Sequence, residues 1–401
     1  MHERFIARQP IFDKRLRVYA YELLFRGGPQ NYFQPSEAAS CGVIADSMSL
    51  FDLKTLTGNA RAFMNVDELA LRLGAPWLLP PDKVVVEILE TVEPSEEIVK
   101  ICRDLHASGY VLALDDFVDH PKMAPLVDLA QFLKVDFRQV NEIERKRIAN
   151  KYHDGTLSLL AEKVETEIEL SEARQSGYSY FQGYFFCKPA MIETRDIPGN
   201  KLLQLELLVA VASPELNYPA IEELLKREPA LLYRLLRYLN SALLALRSEV
   251  HSVRHALSML GENEFRRWVS IFAVVAMSSG KPPELIRTAL IRGYFCEEFS
   301  GAAGLGKERS SLFLMGLLSI VDALLDKPIE EVLRSLPVML EVKFALIGGK
   351  NRFRDVFDLL LVLERAEWSQ LPTYIERLGC GEEEISNAYQ VAIEKASTIA
   401  I

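Results

Sequence analysis

The amino-acid sequence predicts an α/β barrel followed by an all-helical domain, and three observations carry that expectation. Short apolar runs alternate with amphipathic stretches through the first half of the chain. Beyond Pro198-Gly199 the pattern changes to long helical periodicity with hardly any strand signal. Within the first half, a polar residue recurs at or near the carboxyl end of nearly every apolar run. Continuous apolar runs separated by amphipathic segments are what a parallel sheet covered by helices requires, because such strands are buried on both faces.

The runs, in order, are FIARQPIF, RVYAYELLF, RAFMNV, KVVVEIL, YVLALDDF, AQFLKVDF, TLSLLAEKV and YSYFQGYFF. The helical half reads AIEELLKREPALLYRLLRYLNSALLAL, ALSMLGENEFRRWVSIFAVVAM and SSLFLMGLLSIVDALL. The break lies in AMIETRDIPGNK, which places a barrel domain over 1–195 and a helical domain over 200–395. A chain of 401 residues is long enough for two domains at about 100 to 200 residues each.

Composition narrows the function. No stretch near 18 uncharged apolar residues occurs and the amino terminus, MHERFIARQP, lacks an apolar leader, so the expectation is a cytoplasmic protein without a membrane partner. The five cysteines are scattered and unpaired in spacing, which argues against a disulfide framework or a zinc site. A net charge of -10 gives no electrostatic reason to expect nucleic acid as a partner.

The polar series is Glu22 and Arg26, Asn65, Glu87 and Glu90, Asp115 and Asp116, Lys134 and Asp136, Glu162 and Glu165, and Gln182. In an α/β barrel the carboxyl ends of the strands open on one face, so residues far apart in sequence converge on a single bowl. Hard cations such as Mg²⁺ or Mn²⁺ take oxygen ligands, and Glu22, Asn65, Glu87 and Asp115 are such a set. Asp116 could bridge to a second ion, since two ions can steady both oxygens of an in-line phosphoryl displacement. Lys134 and Asp136 lie two apart and point the same way, which sets an ammonium beside an attacking water or a phosphate. Arg26 offers a planar fork suited to phosphate.

On YELLFR (21–26), FMNV (63–66), VEILET (86–91), LALDDF (112–117), LKVD (133–136), AEKVET (161–166) and QGYFFCKP (182–189), residues 1–190 resemble an EAL domain, the cyclic di-GMP phosphodiesterase family. The resemblance implies a TIM-like barrel whose first strand runs antiparallel. It also implies Glu22, Asn65, Glu87 and Asp115 as metal ligands, with Asp116 on a second metal. Lys134 and Glu162 would serve the catalytic water, while Arg26 and Gln182 would contact the dinucleotide and Glu90, Asp136 and Glu165 would complete the substrate-binding group.

Two departures bear on that expectation. Family members continue the double aspartate into a glycine-containing loop that couples the dimer and organises the second metal; here the loop is VDHPKM (118–123). Val118 resists left-handed backbone, and Pro121 fixes its own φ and restricts His120. Lys163 stands where the family has glycine, and its long cation could compete for Glu162 or Glu165. The first metal site is therefore expected intact and the second impaired, leaving two ions, one or none as open outcomes.

On EPALLYRLLRYLNSA (228–242), VRHALSMLGENEFRRW (253–268) and LFLMGLLSIVDALL (312–325), residues 200–390 resemble an HDOD domain, related to the HD phosphohydrolases. Where catalytic relatives carry a metal-binding His-Asp pair, this chain has Ser319-Ile320, which cannot hold a hard cation. His251 and His255 lie four apart and could share a helix face. Three functions stay open. The chain could be a cyclic di-GMP signalling adaptor with a degenerate EAL domain and an HDOD domain that engages a protein. It could be an active Mg²⁺- or Mn²⁺-dependent phosphodiesterase giving pGpG. It could be a protein-binding scaffold whose acids are held by internal pairs such as Lys134 with Asp115. Homodimer formation is a further open expectation.

Overall fold

The computed structural model describes residues 4–27, 53–152, 157–188, 199–213, 215–227, 255 and 259–399. The chain divides into two compact units, residues 1–186 with 362–371 and residues 187–361 with 372–401.

The first unit is a closed eight-stranded barrel in sequential order. Its strands are β1 (Arg4–Asp13), β2 (Val18–Gly27), β3 (Arg61–Val66), β4 (Val84–Ile88), β5 (Val111–Leu114), β6 (Phe132–Asp136), β7 (Ser158–Glu162) and β8 (Tyr180–Gln182). These are the eight apolar runs of the sequence. Strand β1 is antiparallel to both β2 and β8, and the remaining neighbours are parallel. The cause is local. Asp13 accepts from the N–H groups of Arg15 (2.8 Å) and Arg17 (2.9 Å), closing a turn with Leu16 at φ 57°, and a connection that short can join only antiparallel strands.

Later strands are joined through helices, which allow the parallel crossover. Described helices of this unit are α1 (Leu53–Thr57), α2 (Glu68–Arg72), α3 (Glu96–Ala107), α4 (Ala124–Val127), α5 (Glu142–Tyr152) and α6 (Glu167–Gln175). Their starts follow the capping rules. Ser95 accepts from the Ile98 N–H, and Thr166 forms a reciprocal capping box with Glu169. Strands β4 and β6 are buried at every position, as expected of strands covered on both faces.

The barrel interior is layered. Ile11, Ala20, Phe63, Val85, Ala113, Phe132 and Leu160 form one buried apolar cluster, with Tyr19, Val111 and Tyr180 packed against it. Side chains alternate along a strand, so the residue two positions further on faces the same interior. That step leads from Ala20 to Glu22, Phe63 to Asn65, Val85 to Glu87, Ala113 to Asp115, Phe132 to Lys134, Leu160 to Glu162 and Tyr180 to Gln182. An apolar plug thus carries a polar storey directly above it.

The second unit is helical, and among the described residues no strand follows Gln182. Helices α7 (Gly199–Ala212), α8 (Tyr218–Lys226), α9 (Glu262–Met277), α10 (Pro283–Glu298), α11 (Arg309–Leu318), α12 (Val321–Leu325), α13 (Ile329–Ser335), α14 (Leu340–Leu346) and α17 (Glu382–Ser397) belong to it, with α15 (Arg352–Glu364) and α16 (Leu371–Leu378) running between α14 and α17 in sequence. Helix α10 packs against α11 and α17. A Cβ at Gly316 would lie 2.3 Å from the Arg292 carbonyl oxygen, so only glycine permits α10 and α11 to approach so closely. No described helix is long and apolar enough to cross a membrane.

Candidate functional site, an acidic bowl at the barrel mouth

Lys134 stands at the centre of the polar storey. Its ammonium contacts Glu87 and lies 2.9 Å from Asp115 Oδ1, 2.7 Å from Glu162 Oε1 and 3.5 Å from Glu22 Oε2. Strand register explains the grouping. Asn65 sits beside Glu87, Asp136 beside Glu162, and Gln9 beside Glu22. Asn65 Nδ2 is 3.5 Å from Glu22 Oε1, and Gln182 Nε2 donates to Glu22 Oε2 (2.6 Å) and to Gln9 Oε1 (3.0 Å).

Lys134 and Glu87 are fully buried, and Glu22, Glu162 and Gln182 nearly so. Burying ions is costly unless they are paired and hydrogen-bonded. Four acids sharing one ammonium leave a deficit of positive charge, and the proton affinities follow from it. Burial, then repulsion by Glu22, pushes Glu87 well above the usual carboxylate range. Burial raises Glu162 to about 8, with Asp115 and Glu22 adding to the push against the pull of Lys134. Burial would depress Lys134, but the surrounding carboxylates together hold it well above the usual lysine value. Burial opposes ionisation of Asp115 too, yet Lys134 and local hydrogen bonds keep it below the ordinary value.

A divalent cation fits this donor set. Asn65 Oδ1, Glu87 Oε2 and Gln182 Oε1 are buried and meet no hydrogen-bond donor among the described residues, at a cost of about 1 to 3 kcal/mol for each such group. Glu22, Glu87 and Glu162 bring one oxygen each within 4.8 Å of one another, and so do Asp115, Asp116 and Glu162. Oxygen-only ligands of this kind suit a hard ion.

The rim is built differently from the floor. Asp116 has φ 40°, and its Oδ2 accepts from Gln139 Nε2 (3.3 Å). Burial and the neighbouring Asp115 raise its proton affinity. Asp136 Oδ1 accepts from the N–H groups of Arg138 (2.6 Å) and Gln139 (3.2 Å), and its Oδ2 pairs with Lys163. Lys163 therefore meets Asp136 rather than Glu162 or Glu165. It does so from a left-handed backbone at φ 53°, which costs an L-residue about 1 to 2 kcal/mol. Glu165 is exposed and pairs with Arg138, and Glu90 is exposed as well. Arg26 lies in β2, and its side chain falls outside the described residues.

The loop after the double aspartate folds back on its own barrel. Phe117 is buried against Tyr152, and Asp119 accepts from Lys151 Nζ (2.7 Å) and Tyr152 Oη (2.8 Å) of α5. His120 is extended at φ -123° and ψ 137°, as the following proline requires, and its Nδ1 accepts from the Lys122 N–H in a one-turn cap. It is exposed and serves as a cap. Gly183, after Gln182, is indispensable in another way: a Cβ there would fall 2.0 Å from the Val164 carbonyl oxygen.

Gln9 and Gln139 were not foreseen as site residues. Gln9 could have been found, because a polar residue two positions from Ile11 in an apolar strand shares its inward face. Gln139 lies in a loop, where no periodicity marks it.

In the helical unit, Ser319 Oγ accepts from Arg292 Nη1 (3.1 Å) and donates to the Gly316 carbonyl (2.7 Å), while Ile320 is wholly buried. Among the described residues, both groups of acids close enough to share an ion lie in the barrel. His251 lies outside the described residues.

Comparison with known proteins fits both units. The model of the EAL domain matches residues 59–189 and that of the HDOD domain residues 198–326. The cyclic di-GMP phosphodiesterase CdgJ of Vibrio cholerae is 33% identical over 393 residues, covering 96% of this chain and 90% of that protein. YuxH of Bacillus subtilis is 32% identical over 403 residues, covering 97% of each. A manganese and cyclic di-GMP complex of Klebsiella pneumoniae BlrP1 is 24% identical, covering 45% of this chain and 55% of that one, with a TM-score of 0.39. The chain belongs to the family of tandem proteins in which an EAL domain precedes an HDOD domain.

Proposed function

We propose that the barrel binds cyclic di-GMP at the acidic bowl together with Mg²⁺ or Mn²⁺. In this reading the chain acts as a signalling adaptor with a degenerate EAL domain and little hydrolysis, and its helical domain engages a protein partner without chemistry of its own. We place the two domains over 1–195 and 200–395. The observation that carries the proposal is the convergence of Glu22, Asn65, Glu87, Asp115, Lys134, Glu162 and Gln182 around buried acceptors that no donor among the described residues meets. The activity in the name of the Vibrio cholerae relative supports the ligand class.

A bound divalent cation would polarise phosphate oxygens and lower the pKa of a coordinated water. The chain's own groups divide the remaining work. Glu22, Asn65, Glu87 and Asp115 supply the oxygens. Gln182 orients Glu22, and Lys134 holds Glu162 beside the acids. Glu162, placed beside Asp115 and Lys134, would be free to take a proton from a water and pass it on once a bound cation had displaced its own. Arg26, Glu90, Asp136 and Glu165 remain our candidates for substrate contacts. Slow hydrolysis follows from the rim, where the 118–123 loop is tied to α5 and Lys163 adds a fixed charge.

A second reading, an active phosphodiesterase releasing pGpG, is favoured by the grouping of Asp115, Asp116 and Glu162. Calorimetry of cyclic di-GMP into the full chain with Mn²⁺, followed by chromatography of the products, separates the readings. Heat without product is expected. Product that disappears in Glu22→Ala would select the enzyme, and absence of heat would reduce the bowl to a scaffold.

A further inference from the structure

The side of the bowl where β5, β6 and β7 end carries four acids, Asp115, Asp116, Asp136 and Glu162, of which Asp115, Asp116 and Glu162 are close enough to share an ion. Two described ammonium groups reach this edge. Lys134 comes from below, onto Asp115 and Glu162. Lys163 comes from the rim, onto Asp136, and its charge also acts on Asp116 and Glu162.

The pair with Asp136 holds the half-exposed Lys163 side chain there. The Lys163 backbone is left-handed at φ 53°, as Asp116 is at φ 40°. Such residues persist where the surroundings over-determine them. Here Lys163 pairs with Asp136, Asp136 takes the N–H groups of Arg138 and Gln139, and the Gln139 side chain reaches Asp116. The chain of bonds links Lys163 to the acid that would complete a second cation site.

We propose that Lys163 sets the number of cations in the bowl: its ammonium, held by Asp136, stands in for a second divalent ion beside Asp115, Asp116 and Glu162, so that the chain takes up one. This rests on the reading of the bowl as a cation site. An ion entering beside Asp116 would meet a like charge a few ångströms away, and although Lys163 is half exposed and partly screened by solvent, the acids it faces are largely buried. Lys163 acts by its charge, held in place by Asp136, and is a positioning residue.

Mn²⁺ uptake by the full chain, followed through the electron paramagnetic resonance signal of free Mn²⁺, tests this apart from any activity. Wild type and Lys163→Arg should bind one ion, while Lys163→Gln and Lys163→Gly should gain a second at least about tenfold more tightly than wild type can. Thermal melts establish that each variant is folded. Two ions in wild type, or one ion in every folded variant, would overturn the inference and leave the proposed function standing. No ion in any of them would overturn both.

Discussion

At the barrel mouth, four acids share the ammonium of Lys134, and three buried acceptors meet no donor among the described residues. At the helical position where catalytic HD relatives carry metal ligands, Arg292 donates to Ser319, Ser319 donates to its own helix, and Ile320 fills the space. The first arrangement is left short of positive charge. The second is closed by its neighbours. In the reading proposed above, the unfilled demand for charge marks a ligand site, whereas the self-satisfied polar pair marks a structural role.

The strongest way to sharpen this contrast is to remove the central cation. Lys134→Met should destabilise the metal-free barrel by about 3 to 5 kcal/mol, because removing one partner leaves buried charge uncompensated. Differential scanning calorimetry should show the loss, and Mn²⁺ should restore part of it. A variant as stable as wild type would break the comparison, since the acids would then be indifferent to their counter-charge.

The next effect is in pH. Glu162 rises from an ordinary 4.5 to about 8 in the folded state, so between those values the folded chain holds a proton that the unfolded chain releases. Stability should therefore fall as pH rises through that window, by at most about 1.4 kcal/mol per pH unit from Glu162, with Glu87 and Asp116, also raised, adding in the same direction. Denaturant titrations of the metal-free chain from pH 5 to 8 check the slope, and saturating Mn²⁺ should flatten it by displacing the proton. Asp115 shifts the other way and acts only at lower pH.

The smallest effect is expected from Ser319→Ala. Mn²⁺ uptake should be unchanged and stability should move by about 1 kcal/mol, the worth of an ordinary hydrogen bond. A loss of bound Mn²⁺ in this variant would mean that the helical unit also holds an ion.

Much of the barrel was legible because period-two alternation and strand-end polarity are local signals. Val85 and Glu87, or Phe132 and Lys134, announce their shared face within three residues. The antiparallel first strand came from family resemblance, although the Asp13 turn that causes it is short enough to read. What stayed hidden was the choice of partner. Lys163 could have reached several acids, and only the register of Asp136 beside Glu162 assigns it to Asp136. Gln139 and the tie of Asp119 to α5 depend on how a loop returns to its helix, which no spacing encodes.

One feature of the ring ties its closure to its chemistry. Its seam, where the opening strand meets the closing one at Ile11 and Gln182, runs beside Glu22, and Gln182 holds Gln9 and Glu22 with a single amide. Closing the circle and setting the first acid are thus one event. Loosening that one amide would therefore slacken the closure of the barrel and the seat of Glu22 together.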